Sequence, residues 1–149
     1  MGHVLVLGPN PAIQKVVKIG GPLVPGSVNR ATSSTTGVGG KGQNVAVALN
    51  MLGVSTVLAQ FGGGDETGAK LMSLLPCETD PNMFHVIASP TSTPVRTCTT
   101  ILSSTGATEV IEPTGAVTPE DIDCLLTRLS GLHPRDVLVL MGSIPPKGE

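Results

Sequence analysis

Val4-Leu5-Val6-Leu7, followed at once by Gly8-Pro9-Asn10-Pro11, decides the class of fold. Four consecutive apolar residues hide both faces of a strand, which suits a parallel strand covered by helices on each side. The chain is therefore read as α/β. The Gly-Pro-Asn-Pro turn closes the strand at its carboxyl end, where open α/β sheets place their ligands. Residues beside that turn are site candidates.

Working outward, the pattern from Gln14 to Thr36 breaks into short alternating pieces, Val16 to Ile19 and Val28 to Thr32, interrupted by Gly20-Gly21-Pro22 and Pro25-Gly26. It predicts a small exposed sheet. After Gly42, the spacing of Val45, Ala48, Leu49 and Leu52 is helical, and Gly53 stands where a left-handed residue ends a helix. Val54 to Phe61 is the next expected strand, and Glu66 to Leu75 the next helix, with Asp65 as its cap and Pro76 beyond its end. Met83 to Ala88 reads as a strand. Pro94 to Leu102 and Ala107 to Ile111, joined through Ser103-Ser104-Thr105-Gly106, read as a hairpin that joins the earlier exposed sheet. Thr118, with Pro119, Glu120 and Asp121 behind it, opens a helix striped by Ile122, Leu125, Leu126 and Leu129, and Gly131 closes it. Val137 to Met141 then returns as a buried strand opening at Gly142-Ser143-Ile144-Pro145-Pro146. The order is strand, helix, strand, helix, strand, with two polar β inserts and no repeat or linker to divide 149 residues into two domains.

Composition removes several classes of function. Nine basic residues against eleven acidic ones leave a net charge of −2, which gives no general attraction to nucleic acid or anionic membrane. With aromatic content of 1% and no Trp or Tyr, there is little from which to build base-stacking platforms. No nucleic-acid partner is expected. Cys77, Cys98 and Cys124 are widely spaced without a CxxC pair, and are read as reduced, small core residues. There is neither a signal-like apolar run at the N-terminus nor a stretch long enough to span a bilayer. The expectation is a soluble, cytoplasmic-type protein with no membrane partner, the alternative being a plastid or mitochondrial form imported on a sequence missing here.

The chemistry concentrates in Gly37-Val38-Gly39-Gly40-Lys41-Gly42-Gln43-Asn44. Its glycine spacing satisfies a dinucleotide fingerprint, but that motif needs an apolar strand before it, and Thr32-Ser33-Ser34-Thr35-Thr36 stands there instead. A P-loop fails because Lys41 is followed by Gly42 rather than Ser or Thr. What remains is the physics these motifs share. Glycines let backbone N–H groups approach a ligand, a helix N-terminus favours oxyanions, and Lys41 adds a cation. A flexible turn before an ordinary helix fits the same loop equally well.

Five motifs in order decide between those readings. Asn10-Pro11-Ala12-Ile13, Val28-Asn29-Arg30-Ala31, Gly39-Gly40-Lys41-Gly42-Gln43-Asn44-Val45-Ala46, Gly63-Gly64-Asp65-Glu66-Thr67-Gly68 and Gly142-Ser143-Ile144-Pro145-Pro146 resemble the phosphofructokinase-B branch of the ribokinase-like carbohydrate kinases, nearest to 1-phosphofructokinases and tagatose-6-phosphate kinases. The resemblance runs along the whole chain. It implies a three-layer α/β/α sandwich with a small β-sheet lid, here built from segments about 12–36 and 94–112. It implies that Gly39 and Gly40 offer backbone contacts to the sugar, that Lys41 lies near its phosphate, and that Asn44 bonds a hydroxyl. An amide both donates and accepts, which suits vicinal hydroxyls, although Asn44 also fits as a turn-stabilising amide. Arg96, within Pro94-Val95-Arg96-Thr97-Cys98, resembles the family's phosphate-binding Arg, and a guanidinium holds phosphate through two parallel bonds. A solvated strand Arg is its bland alternative. Ser143 stands where the family places a substrate-contacting hydroxyl, or serves as a simple turn serine.

Two departures qualify the resemblance. Gln14 occupies the place where the family generally has Asp, so the charge-assisted bond to sugar hydroxyls is lost and weaker or altered sugar preference is expected. The family's Gly-Ala-Gly-Asp segment, with its catalytic Asp and nucleotide pocket, lies in a C-terminal half not found among these 149 residues. Asp65 is read as a helix cap and not as the base. His3, His85 and His133 have no carboxylate or Ser in triad-like order. Glu112 receives no role.

The expectation is the N-terminal portion of one ATP-dependent sugar-phosphate kinase domain, acting on a fructose or tagatose phosphate, with ATP and Mg²⁺ serving the complete parent and no dedicated residues for either here. The alternatives are a non-catalytic sugar-phosphate binding module and an inactive fragment. Without covering elements, Val137 to Met141 should leave an apolar face or unpaired edge, and association through that face, through the lid or with a missing C-terminal half is expected.

Overall fold

The computed structural model describes residues 3–132 and 137–148, with the backbone alone at Cys77. Its elements run β1 (Val4–Leu7), β2 (Ala12–Ile19), β3 (Ala31–Gly39), α1 (Lys41–Met51), β4 (Thr56–Gly63), α2 (Glu66–Leu74), β5 (Phe84–Thr91), β6 (Arg96–Ser103), β7 (Gly106–Ile111), α3 (Pro119–Leu129) and β8 (Val137–Leu140), with a 3-10 turn at Leu75–Cys77 extending α2. The strands divide between two sheets, ordered β5-β4-β1-β8 and β3-β2-β6-β7.

The first sheet is wholly parallel. Alternation along its strands assigns a helix layer to each face. Val4, Val6, Leu58, Phe84, Val86 and Val139 pack with Ala46 and Leu49 of α1 and Leu71 of α2, while Leu5, Leu7, Ala59, Phe61 and Ile87 pack with Leu125 and Leu129 of α3. The result is the expected three-layer sandwich. Its third helix is capped as its sequence demands: Thr118 Oγ1 accepts from the Asp121 N–H at 3.2 Å and Asp121 Oδ2 accepts from the Thr118 N–H at 2.9 Å.

The two polar β segments meet in the second sheet, where β2 pairs antiparallel with β3 and parallel with β6, and β6 forms the hairpin with β7. Its root is buried. Ile13, Val38 and Val95 belong to the same cluster as Val6 and Leu58, while every residue of β7 and the first six of β3 face solvent.

Several expectations are corrected. Strand β3 spans Ala31–Gly39 and not Val28 to Thr32, because Thr36 to Ser33 pair residue by residue with Lys15 to Lys18 and the polar run needs no buried face. The buried residues of α1 are Gly42, Gln43, Ala46 and Asn50, whereas Ala48 is exposed and Leu52 is 79% exposed. Asn50 is drawn inward because its Oδ1 accepts the Asp80 N–H at 2.7 Å. In α3, Leu125 and Leu129 pack inward but Ile122 and Leu126 face solvent, since α3 lies over β4 and β5 and leaves its outer flank uncovered. Strand β8 is not buried: Val137, Leu138 and Leu140 are 61%, 57% and 67% exposed, because β8 is an edge strand that α3 does not reach. The apolar edge anticipated for this strand is therefore present. Cys98 and Cys124 are free but only partly buried, so they are not core residues. His133 lies outside the described residues, as does the side chain of Cys77.

Candidate functional site

The carboxyl ends of β1 and β8 and the N-terminus of α1 converge through a contact that only glycine permits. Gly42 packs directly on Gly8, so that a Cβ at position 42 would collide with the Gly8 α-carbon and stand 3.1 Å from the Met141 carbonyl. Gly40 turns the chain from β3 into α1 at φ 102°, which L side chains rarely adopt. No side chain caps α1 from Gly40, so its leading N–H groups open toward the loop. Lys41 projects from the first turn, exposed, with its Cβ 3.8 Å from where a Cβ on Gly142 would stand. Asn44 is exposed on the same side, three residues on.

Asn10, in the turn after β1, links three stretches of chain. Its Nδ2 donates to Ser143 Oγ at 2.7 Å, beyond β8, and to Thr114 Oγ1 at 3.1 Å, beyond β7. The side chain is buried. Sequence reasoning quoted Asn10 within a motif but assigned it no role. The available signal was an amide in a Pro-flanked turn at the carboxyl end of a parallel strand.

Beside Asn10 opens a small cavity of about 30 Å³ whose wall includes Phe61, Thr91, Arg96, Thr114 and Pro145. Arg96 Nε is buried there without a hydrogen-bond partner, and Arg96 has no ion pair among the described residues. A buried guanidinium N–H left unpaired is costly unless an acceptor arrives. Glu112, which had no assigned role, accepts the Thr97 N–H at 2.7 Å and so fixes the backbone next to Arg96. Glu78 does the same for β3, accepting the Val38 N–H at 2.9 Å.

Of the substrate-binding candidates Arg96 alone lines this cavity, and Gly39, Gly40, Lys41, Asn44 and Ser143 stand outside its wall. Gln14 does not line the cavity: its Nε2 donates to Thr100 Oγ1 at 2.9 Å along the second sheet, although its Cβ lies 3.1 Å from where a Cβ on Gly39 would stand. It shares the Arg96 face of that sheet, since Ala12 pairs with Arg96 and Gln14 with Cys98. Asp65 is committed as a helix cap. Its Oδ1 accepts from the Thr67 hydroxyl at 2.8 Å and the Gly68 N–H at 3.1 Å, and these bonds hold its carboxyl below the usual range. The Cys124 thiol is also lowered, by the Ser89 hydroxyl and then the Arg128 side chain, but it sits on α3 away from the cavity. His3 bonds Ser55 and His85 is exposed on β5, so neither lines the cavity.

The polar run before the glycine loop is a strand, yet it belongs to the second sheet and runs antiparallel to β2. The βαβ unit that a dinucleotide needs is therefore absent around the loop. Among the described residues no three His, Cys, Asp or Glu side chains converge. No helix among them is long and apolar enough to cross a membrane.

The arrangement has close counterparts. A 1-phosphofructokinase of Haloferax volcanii is 28% identical over 143 residues, covering 96% of this chain and 45% of that protein. The 1-phosphofructokinase of Bacillus subtilis is 29% identical over 136 residues, covering 91% and 43%. Among solved structures, Escherichia coli phosphofructokinase-2 in complex with fructose-6-phosphate matches with a TM-score of 0.87 at 25% identity, covering 100% of this chain and 48% of that one. A possible 1-phosphofructokinase from Thermotoga maritima matches at 0.84 and 28% identity, covering 99% and 47%. The chain spans about half the length of the curated relatives it matches. The model of the pfkB family carbohydrate kinases matches residues 2–148, and with the α/β/α sandwich, the second sheet and the glycine loop all in place, the chain belongs to that family.

Proposed function

We propose that these 149 residues form the sugar-phosphate grip and lid of a phosphofructokinase-type kinase, one that transfers phosphate from ATP to a phosphorylated ketohexose. The reading is carried by the Arg96 guanidinium, whose buried Nε lacks a partner on the cavity wall. A phosphate oxygen is the acceptor that satisfies it, through charge-assisted bonds roughly twice as strong as neutral ones. In this reading Lys41 adds a second cation from the helix N-terminus, and the Gly39 and Gly40 backbone lies along the sugar. Asn44 and the Asn10-held Ser143 meet its hydroxyls. Gln14 contributes from the lid face, its amide turned toward Thr100, which supports weaker or altered sugar preference than a carboxylate would give. The second sheet acts as the lid because it rises from the core at the rim of the cavity.

Among the described residues no Asp, Glu or His lines that cavity, and Glu112, which lines the adjoining pocket that shares Arg96, is committed to the Thr97 N–H. A grip without a general base binds and orients but does not remove the acceptor hydroxyl's proton. ATP is the donor in the complete kinase, and neither ATP nor Mg²⁺ is given a step through these residues. The same observation favours a second reading, a non-catalytic sugar-phosphate binding module. Free Cys98 and Cys124 support a reducing, cytoplasmic setting.

Calorimetry with fructose 1-phosphate, fructose 6-phosphate and tagatose 6-phosphate tests the grip. Arg96→Ala and Lys41→Ala should each weaken binding, by about tenfold or more for Arg96, on the scale of a lost charged hydrogen bond. Equal heats for wild type and both variants would remove the phosphate role. Steady ATP-dependent product from the pure 149-residue chain would refute the placement of the base outside it.

A further inference from the structure

Gln43 and Gln60 are both fully buried, one in the first turn of α1 and the other on β4. Gln43 Nε2 donates to the Gly8 carbonyl at 2.8 Å and to Gln60 Oε1 at 3.0 Å. The Gly8 carbonyl only accepts, so the amide has one workable orientation, with its NH₂ toward β1 and β4 and its Oε1 turned away. That oxygen is buried without a partner and presses against Gly40, where an added Cβ would collide with it. The unpaired Oε1 costs stability, while the NH₂ satisfies two buried acceptors that an apolar side chain of the same length would leave unpaired. The amide's contacts include the two backbone points that define the glycine loop, Gly8 beneath it and Gly40 at its turn into α1.

We propose that Gln43 is a positioning residue for the ligand loop: by holding Gly8 with its NH₂ and blocking Gly40 with its Oε1, it sets the direction of Lys41 and of the leading N–H groups of α1. Gln60 braces it, since its Oε1 takes the second Gln43 hydrogen and its Nε2 is left only the Met72 sulfur at 3.9 Å. The inference rests on the reading that this loop grips a sugar phosphate.

Gln43→Met keeps the length of the side chain and removes the amide, and Gln60→Met removes only the brace. Binding of fructose 6-phosphate should weaken about tenfold in Gln43→Met, within the range that misplaced binding groups cost, and by about twofold to threefold in Gln60→Met. Because Gln43→Met leaves the Gly8 carbonyl and Gln60 Oε1 without their donor, its melting temperature should fall, and affinities are compared at a temperature where both chains are folded. Equal affinity in folded wild type and folded Gln43→Met overturns the proposal. Amide NMR of the ligand-free chain judges it independently of binding. The Gly40 and Lys41 signals should shift in Gln43→Met while those of Asn50 to Gly53, at the far end of α1, stay in place; unmoved Gly40 and Lys41 signals overturn it. If wild type binds no sugar phosphate but these signals shift, the functional reading fails and the positioning of the loop stands.

Discussion

Gly42→Ala separates what helix propensity dictates from what the fold dictates, because the two predict opposite signs. Position 42 lies inside α1, where Ala is favoured over Gly by about 1 kcal/mol. On local grounds the variant should therefore be more stable. The new Cβ, however, would fall on the Gly8 α-carbon, 3.1 Å from the Met141 carbonyl and 3.2 Å from the Gly8 nitrogen. All three are backbone atoms, so no side-chain rotation relieves the overlap, and α1 must move off the ends of β1 and β8. Overpacking of this kind costs about 1–3 kcal/mol, and a backbone collision belongs at the upper end. Set against the propensity gain, the net expectation is a loss of about 2 kcal/mol, or about 4–8 °C in melting temperature for a domain of this size. Thermal and urea unfolding by circular dichroism measure it. Asn44→Ala is the control two residues on: Asn44 is exposed, so propensity acts alone and stability should rise by a few tenths of a kcal/mol. A Gly42→Ala variant as stable as wild type, or more so, would mean that the close approach of α1 to β1 does not constrain the loop.

Thr118→Ala removes one half of the capping box on α3 and should cost about 1 kcal/mol in urea unfolding, with Thr118→Ser recovering most of it. Because the Thr67 and Gly68 bonds lower the folded pKa of Asp65, its carboxylate contributes stability above the unfolded pKa that is lost as pH falls through the folded one. The melting-temperature difference between wild type and Asp65→Asn should thus be flat above about pH 5 and shrink toward about pH 3, whereas a difference that grew on acidification would contradict the bonding at Asp65. Leu138→Lys combined with Leu140→Lys places charge on an exposed edge strand and should reduce self-association in sedimentation with little change in melting temperature. Unchanged association would move the contact elsewhere, the second sheet being the next surface to test.

Elements whose signals are local and redundant were legible in the sequence. Strand β1 announced itself by an apolar run and a Gly-Pro stop, α3 by Thr118, Pro119 and Asp121, and α2 by Asp65, and each has the anticipated cap or boundary. The buried face of α1 was not legible, since hydropathy turns Leu52 inward and Asn50 outward, and the fold does the reverse for a hydrogen bond formed 30 residues away. Strand β3 was misplaced for a related reason: a run of Thr and Ser has no buried face to give it periodicity, and its register comes entirely from β2. In the site, glycines and cations stand out by type. Asn10, Gln43 and Glu112 do not, because their importance lies in backbone and hydroxyl partners that are distant in sequence.

That division follows from how the site is assembled. The cavity takes Phe61 and Gly63 from the central sheet, Arg96 from the second sheet and Asn10 and Thr114 from connections between them. Ile13, Val38 and Val95 tie the root of the second sheet into the central core, so that sheet cannot swing as a rigid plate without disturbing Leu58 and Leu71. Any closure over a ligand must therefore come from bending farther out, where β3 and β7 are exposed on their outer stretches and the β2–β3 register slips between Lys18 and Ile19. The cations follow the same partition: Arg96 stands at the anchored root, while Lys41 stands on a helix seated against β1 through Gly42 and Gly8. Both charges thus stand on segments anchored to the central core. On the proposed reading, a grip built this way would be organised before the ligand arrives, and it would leave the outer strands to exclude water without setting where the phosphate lies.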